Sequence, residues 1–201
     1  MKGVEDYWTF SSQSAGFAGT GAINHATGNL VFSVSTLTST DALMPYTPSL
    51  IYNSALAGKG YVYPNAQVSY TATAAPFGFK QNIRETLLKK NYTDESGSTK
   101  TLFIWADSDG TEHYFMPTST ANKYTDEDGL LLTLEENTSA QQCTVTDSGK
   151  NVRTFAKLSA TPSGAISGWY LKDIADRTGN KLVFGFDAGQ RATSVSLVPK
   201  G

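Results

Sequence analysis

Two short acidic stretches hold the residues best suited to chemistry. Asp107-Ser108-Asp109-Gly110 and Asp126-Glu127-Asp128-Gly129 each set carboxylates close together. Paired carboxylates serve glycosidases when they face each other across a cleft. An Asp-x-Asp-Gly spacing is also the middle of an Asp-rich calcium loop. Asp107, Asp109, Asp126 and Asp128 are therefore the calcium candidates, although neither stretch carries the full ligand series or a glutamate at the twelfth loop position. Turn chemistry competes with both readings. An aspartate in a tight turn accepts backbone N–H groups, and its neighbour's carboxylate diverges into water.

Imidazole bases are limited to His25, before a turn, and His113, expected on the polar face of a strand. No Gly-x-Ser-x-Gly elbow accompanies the many serines. Cys143, the single cysteine, permits no disulfide within the chain and reads as a small buried hydrophobe. No Cys/His cluster suits zinc, and no glycine loop suits a phosphate. Trp8, Trp105 and Trp169 stand among ten Tyr and ten Phe. Most of these belong in a core, and Trp105, Trp169 and Tyr170 are the candidates for stacking on a carbohydrate. Asn91-Tyr92-Thr93 and Asn137-Thr138-Ser139 fit the glycosylation acceptor pattern.

The elements that position these residues are strands. Of the 201 residues 39% are hydrophobic and 17% charged, a globular balance. A net charge of −2, with no basic cluster beyond Lys89-Lys90, argues against nucleic acid and anionic lipid as partners. No run reaches the ~20 apolar residues of a membrane span. The acidic opening Met1 to Asp6 is unlike a signal peptide, and both ends read as fragment boundaries.

Leu102 to Trp105, His113 to Met116, Leu130 to Leu134, Val152 to Lys157, Lys181 to Phe186 and Ala192 to Val198 are short runs of alternating or branched and aromatic residues. Asp-Gly turns divide them at Asp107–Gly110, Asp126–Gly129, Asp147–Gly149, Asp176–Asn180 and Asp187–Gly189. Aspartate closes the Asx-turn and glycine supplies the positive φ of a tight hairpin. The spacing predicts an antiparallel meander. Upstream, strands are expected at Leu30–Val34, at Ser49–Tyr52, from Phe77 after Pro76, and over Gln81–Lys90. Ser11–Gly21 is expected as a loop or extended approach, and Ala55–Pro64 as a loop. The whole reads as one all-β unit of curved sheets, ribbon-like or sandwich-like, with little or no helix. Its parts are an irregular lead-in at 1–23, hairpins over 24–160 and a repeat-like end at 161–201.

That end carries a family resemblance. Gly179-Asn180-Lys181-Leu182-Val183-Phe184-Gly185-Phe186-Asp187-Ala188-Gly189-Gln190-Arg191 resembles the YD repeat of the rearrangement hot spot family. Phe186-Asp187 stands at the Tyr-Asp position, and Gly189 comes one residue early. Gly168 to Asp176 is similar to the end of a preceding repeat. Asn24 to Phe32, Leu50 to Ser54, Gly78 to Ile83 and Asp107 to Phe115 are similar to the region leading into such repeats. The resemblance implies β-ribbons wound into a shell or stalk, in exported bacterial proteins that are toxin-associated or act at the cell surface. It implies no catalysis and no cofactor, with the remaining repeats of the parent chain as partners. Strand edges left open would favour self-association. The alternative from another class is a carbohydrate-binding β-sandwich of a cell-wall-associated protein.

Overall fold

The computed structural model describes residues 3–5, 8–35, 43–56, 79–159, 165–187 and 192–201. Pro76, Phe77, Gly78, the segment 57–64 and the turn around Gly189 lie outside them. The chain is all β, as its alternation predicts. Where the sequence suggests one unit, it folds as two compact units.

The first unit takes its described residues from 3–56, 79–85 and 106–112. Its strands β1 (Phe10–Ser14), β2 (Thr20–Asn24), β3 (Leu30–Ser35), β4 (Ser49–Asn53) and β5 (Phe79–Gln81) form one sheet in chain order. Pairing is antiparallel throughout, with Ala22 opposite Val31, Val31 opposite Asn53 and Ile51 opposite Lys80. Those residues share the buried face of the sheet. On the other face Phe32 lies opposite Gly21 and Tyr52, and Tyr52 stacks on Phe79 with centroids 5.1 Å apart.

Ser11–Gly21, expected as a loop or extended approach, falls in the β1–β2 hairpin, turned at Gly16 and Gly19 with φ of 62° and 125°. Ser11 to Ser14 are exposed on both faces, so no alternation marks the strand. Gln81–Lys90 divides between β5 and the next strand, with a turn at Asn82 and Ile83 between them.

The second unit is a meander of β6 (Thr86–Thr93), β7 (Thr99–Ala106), β8 (Glu112–Pro117), β9 (Lys123–Asp126), β10 (Thr133–Asn137), β11 (Gln142–Thr146), β12 (Val152–Lys157) and β13 (Ser167–Ala175). β13 pairs with β12 along one edge, and its Ser167–Tyr170 stretch pairs with β6 along the other. The meander therefore closes into an eight-stranded barrel, a form that neither a ribbon nor a sandwich anticipates. A bulge where β12 and β13 shift register at Thr154 and Phe155 lets β13 bend. Its far half, Asp173–Ala175, pairs with β14 (Lys181–Phe186), which pairs with β15 (Ala192–Val198).

An eight-stranded barrel is just wide enough for side chains to fill it. Leu87, Phe103, Phe115, Leu134, Val145, Phe155 and Leu171 are fully buried inside. Lys123, Thr125, Thr133 and Glu135 alternate with buried neighbours and are exposed. Leu130–Leu134, expected as one strand, is strand only from Thr133. Leu131 has φ 60° and is 73% exposed, its neighbours being held as described below.

Candidate functional site

The turn aspartates spend their carboxylates on their own backbone. At Asp107 the Oδ1 atom accepts N–H groups from Asp109, Gly110 and Thr111 at 3.0, 3.1 and 3.0 Å. Asp109 Oδ1 accepts the Thr111 N–H at 3.0 Å and its hydroxyl at 2.7 Å, and Oδ2 accepts the Val4 N–H at 2.7 Å. Burial, then the charge of Asp107, pushes the Asp109 carboxyl up. Gly110 has φ 92°, and a Cβ there would meet Leu56 at 2.8 Å.

Asp126 Oδ2 and Oδ1 accept the N–H groups of Leu130 and Leu132, each at 2.6 Å. Asp128 is exposed two residues away. Among the described residues no group of three or more His, Cys, Asp or Glu side chains is placed to hold a metal ion. Three of the calcium candidates, Asp107, Asp109 and Asp126, are thus bonded to the backbone of their own turns.

One loop recurs. Asp94, Asp107, Asp147 and Asp176 each donate their N–H to the carbonyl four residues on, while the residue three on donates back to the aspartate carbonyl. The latter is Gly97, Gly110, Lys150 or Gly179, all with positive φ, which is a type I turn followed by a left-handed residue. Lys150, not Gly149, takes that position in its loop. The first loop, Asp94-Glu95-Ser96-Gly97-Ser98, has the same signature in the sequence yet escapes a reading centred on Asp-Gly neighbours.

Hydrogen bonds from Lys100 and then Ser96 hold the Asp94 carboxyl far below the usual range. Thr178 and then Asn180 do the same for Asp176. Because these folded values are depressed, the stabilisation is present above the usual carboxylate value and is lost as pH falls through the lower, folded one. Carboxyl 13C NMR titration should find both residues still ionised below the reference value of 3.8. Midpoints at that value would contradict the loop bonding.

The carbohydrate candidates divide. Trp105 and Trp169 are 5% and 2% exposed inside the barrel, so they cannot form an exposed platform. Trp105 stacks on His113 with centroids 4.8 Å apart and lies under the Arg153 guanidinium at 5.1 Å. Trp169 meets Phe103 at 5.4 Å. Tyr170 is half-buried, edge-on to Phe186 at 5.5 Å. His113, expected on the polar face, points inward because it shares the buried face of β8 with Phe115.

Lys89 and Glu136 form an ion pair at 2.6 Å, with the amine 5.4 Å from the Phe103 ring centre. Cys143, opposite Glu136 across the β10–β11 ladder, is fully buried. Burial, then the Glu136 charge, raises its thiol far above the usual value, the state of an inert core residue. His25 Nε2 and Ser11 Oγ are 2.7 Å apart on an exposed edge.

The first unit holds the more unusual chemistry. Buried asparagines tie its turns together. Asn24 Oδ1 accepts from Ala26 and Thr27, Asn29 Oδ1 from Ser54 and Ala55, and Asn53 donates to the Asp109 carbonyl at 3.0 Å. Asn82 Oδ1 accepts the Tyr46 hydroxyl at 2.9 Å. Burial, then the charge of Glu85, pushes that phenol up to about 12.

Among these sits Lys80, 2% exposed, its ammonium donating to the carbonyl of Asp107. Burial lowers its proton affinity against the opposing pull of Asp107, Glu85 and Asp109, in that order. The sequence places Lys80 between Phe79 and Gln81, and nothing in so short a strand marks it as buried. The chain matches no family model and no curated protein.

Proposed function

We propose that the chain is a structural segment of an exported bacterial YD-repeat protein, part of a shell or stalk, with no catalysis of its own. The observation that carries this reading is the β13–β14–β15 ribbon. It contains the stretch resembling the repeat, turned by the Asp176–Asn180 loop. β15 lies at the margin of its sheet, beside β14, with side chains exposed on both faces. A margin strand of this kind is where the next strand of a ribbon adds. Within the second unit the barrel closes on itself, which leaves β14 and β15 as the strands outside the ring.

Supporting this, the turn carboxylates serve the backbone and most barrel aromatics fill its core. The apolar interior and polar exterior are the inverse of an outer-membrane barrel. The partners are the remaining repeats of the parent chain and, for the isolated chain, a second copy through strand edges.

Sedimentation velocity tests the open edge. The wild-type chain should associate with rising concentration. Val195→Lys with Val198→Lys, which charges two exposed positions of β15, should weaken association by about tenfold, an effect of ~1.4 kcal/mol. A strictly monomeric wild type, or a variant that associates equally well, would oppose the reading.

A further inference from the structure

We propose that Asp128 is a site of spontaneous modification, converting to isoaspartate in the folded protein, while the fold protects the matching residue Asp109. Three observations carry this, none of them drawn from the scaffold reading.

The first is sequence. The chain has two Asp-Gly peptides, Asp109-Gly110 and Asp128-Gly129, and no Asn-Gly. Glycine has no side chain, so its nitrogen lies open to the carboxyl of the residue before it. Ring closure then requires only that nitrogen and carboxyl be released from other bonds and brought together.

The second is that the fold holds both groups of the first pair. Asp109 Oδ1 accepts the Thr111 N–H and hydroxyl, and Oδ2 accepts the Val4 N–H at 2.7 Å. The Gly110 N–H donates to Asp107 Oδ1 at 3.1 Å and to the Asp107 carbonyl at 3.2 Å. Gly110 is buried, and Leu56 fills the space beside it. Attack there would first have to break the turn.

The third is that the second pair is released. Asp128 and Gly129 are both exposed, and a Cβ on Gly129 would meet nothing within 4 Å. Among the described residues no hydrogen bond engages the Asp128 carboxylate or the Gly129 N–H. The chain is anchored on either side instead, by the Glu127 N–H on the Tyr114 carbonyl and by the Leu130 and Leu132 N–H groups on Asp126. The peptide between these anchors is free to turn back on itself, and the anchors need not break when it does.

The atoms balance. The Gly129 nitrogen attacks Asp128 Cγ, the C–N bond forms, and a carboxyl oxygen leaves with the amide proton as water. Solvent water then adds to the α-carbonyl carbon of the five-membered imide and breaks its bond to nitrogen. The chain now runs through Cβ and Cγ, one methylene longer, and the α-carboxylate is free. One water is lost and one is gained, so the final mass equals that of the sequence.

Peptide mapping of the folded chain, aged at neutral pH and physiological temperature, tests this, with electron-transfer fragmentation to mark the isoaspartyl Cα–Cβ bond. Asp128 should gain isoaspartate at least about tenfold faster than Asp109, the factor for breaking one hydrogen bond to a charged group. In denaturant the two sites should react at similar rates. Asp128→Glu, which keeps the charge but closes a six-membered ring far more slowly, should leave the folded chain without the mark. Equal rates at the two sites in the folded chain would overturn the proposal. So would an Asp128 that reacts only in denaturant, or a folded Asp128→Glu chain that a carboxyl methyltransferase specific for isoaspartate labels as fast as wild type.

Discussion

Replacing Phe103 by alanine should cost the second unit about 3–5 kcal/mol, the usual range for truncating a fully buried phenylalanine. The ring has no exposed surface and packs edge-on to Tyr124 at 4.7 Å. It also meets Trp169 at 5.4 Å and lies 5.4 Å from the Lys89 ammonium. Its loss opens a cavity in the middle of the barrel and removes the aromatic face beside the Lys89–Glu136 pair. Urea unfolding followed by tryptophan fluorescence measures this directly. Ile104→Ala, one position along on the opposite, half-buried face, should cost clearly less. Equal losses at the two positions would mean that β7 does not divide into an inside and an outside.

Asp107→Ala should cost the first unit about 1–3 kcal/mol, the range for leaving backbone donors without their acceptor. The substitution removes the acceptor of three backbone N–H groups. It also takes away the carboxylate that does most to keep the buried Lys80 charged. Asp107→Asn keeps an oxygen for the turn and should recover a large part of the loss. Asp128→Ala, at an exposed position in the neighbouring acidic stretch, should stay within about 0.5 kcal/mol of wild type. Urea unfolding of the three variants side by side is the check. A loss at Asp128 as large as that at Asp107 would point to a shared ligand in place of two separate turns.

These contrasts show why parts of the molecule were legible in the sequence. Strand and turn are written locally. Aspartate and a left-handed residue at fixed offsets specify the hairpins, and alternation specifies which side of β8, β9 and β11 faces inward. Residue type puts His113 toward solvent, whereas its position two before Phe115 on β8 puts it on the buried face. Leu130 to Leu132 misled in the opposite sense. Their composition reads as strand, yet Asp126 captures the N–H groups of Leu130 and Leu132 and holds the segment out of the ladder.

Closure of the barrel was not legible at all. It depends on β13 reaching β6 across about eighty residues of sequence, and no local pattern encodes a pairing of that kind. The same holds for Lys80, which is buried only because the 107–111 turn belongs to the same compact unit as β5. A lysine in isolation reads as surface.

Thermal unfolding of the chelator-treated chain, with and without added calcium, bears most directly on the idea that the acidic turns exist to shape the backbone. Since Asp107, Asp109 and Asp126 already accept N–H and O–H groups of their own loops, Tm should stay constant as calcium rises into the millimolar range. A Tm that climbs steadily with calcium concentration, as it must when an ion binds the folded state alone, would show that these carboxylates serve a metal, and the account would fail.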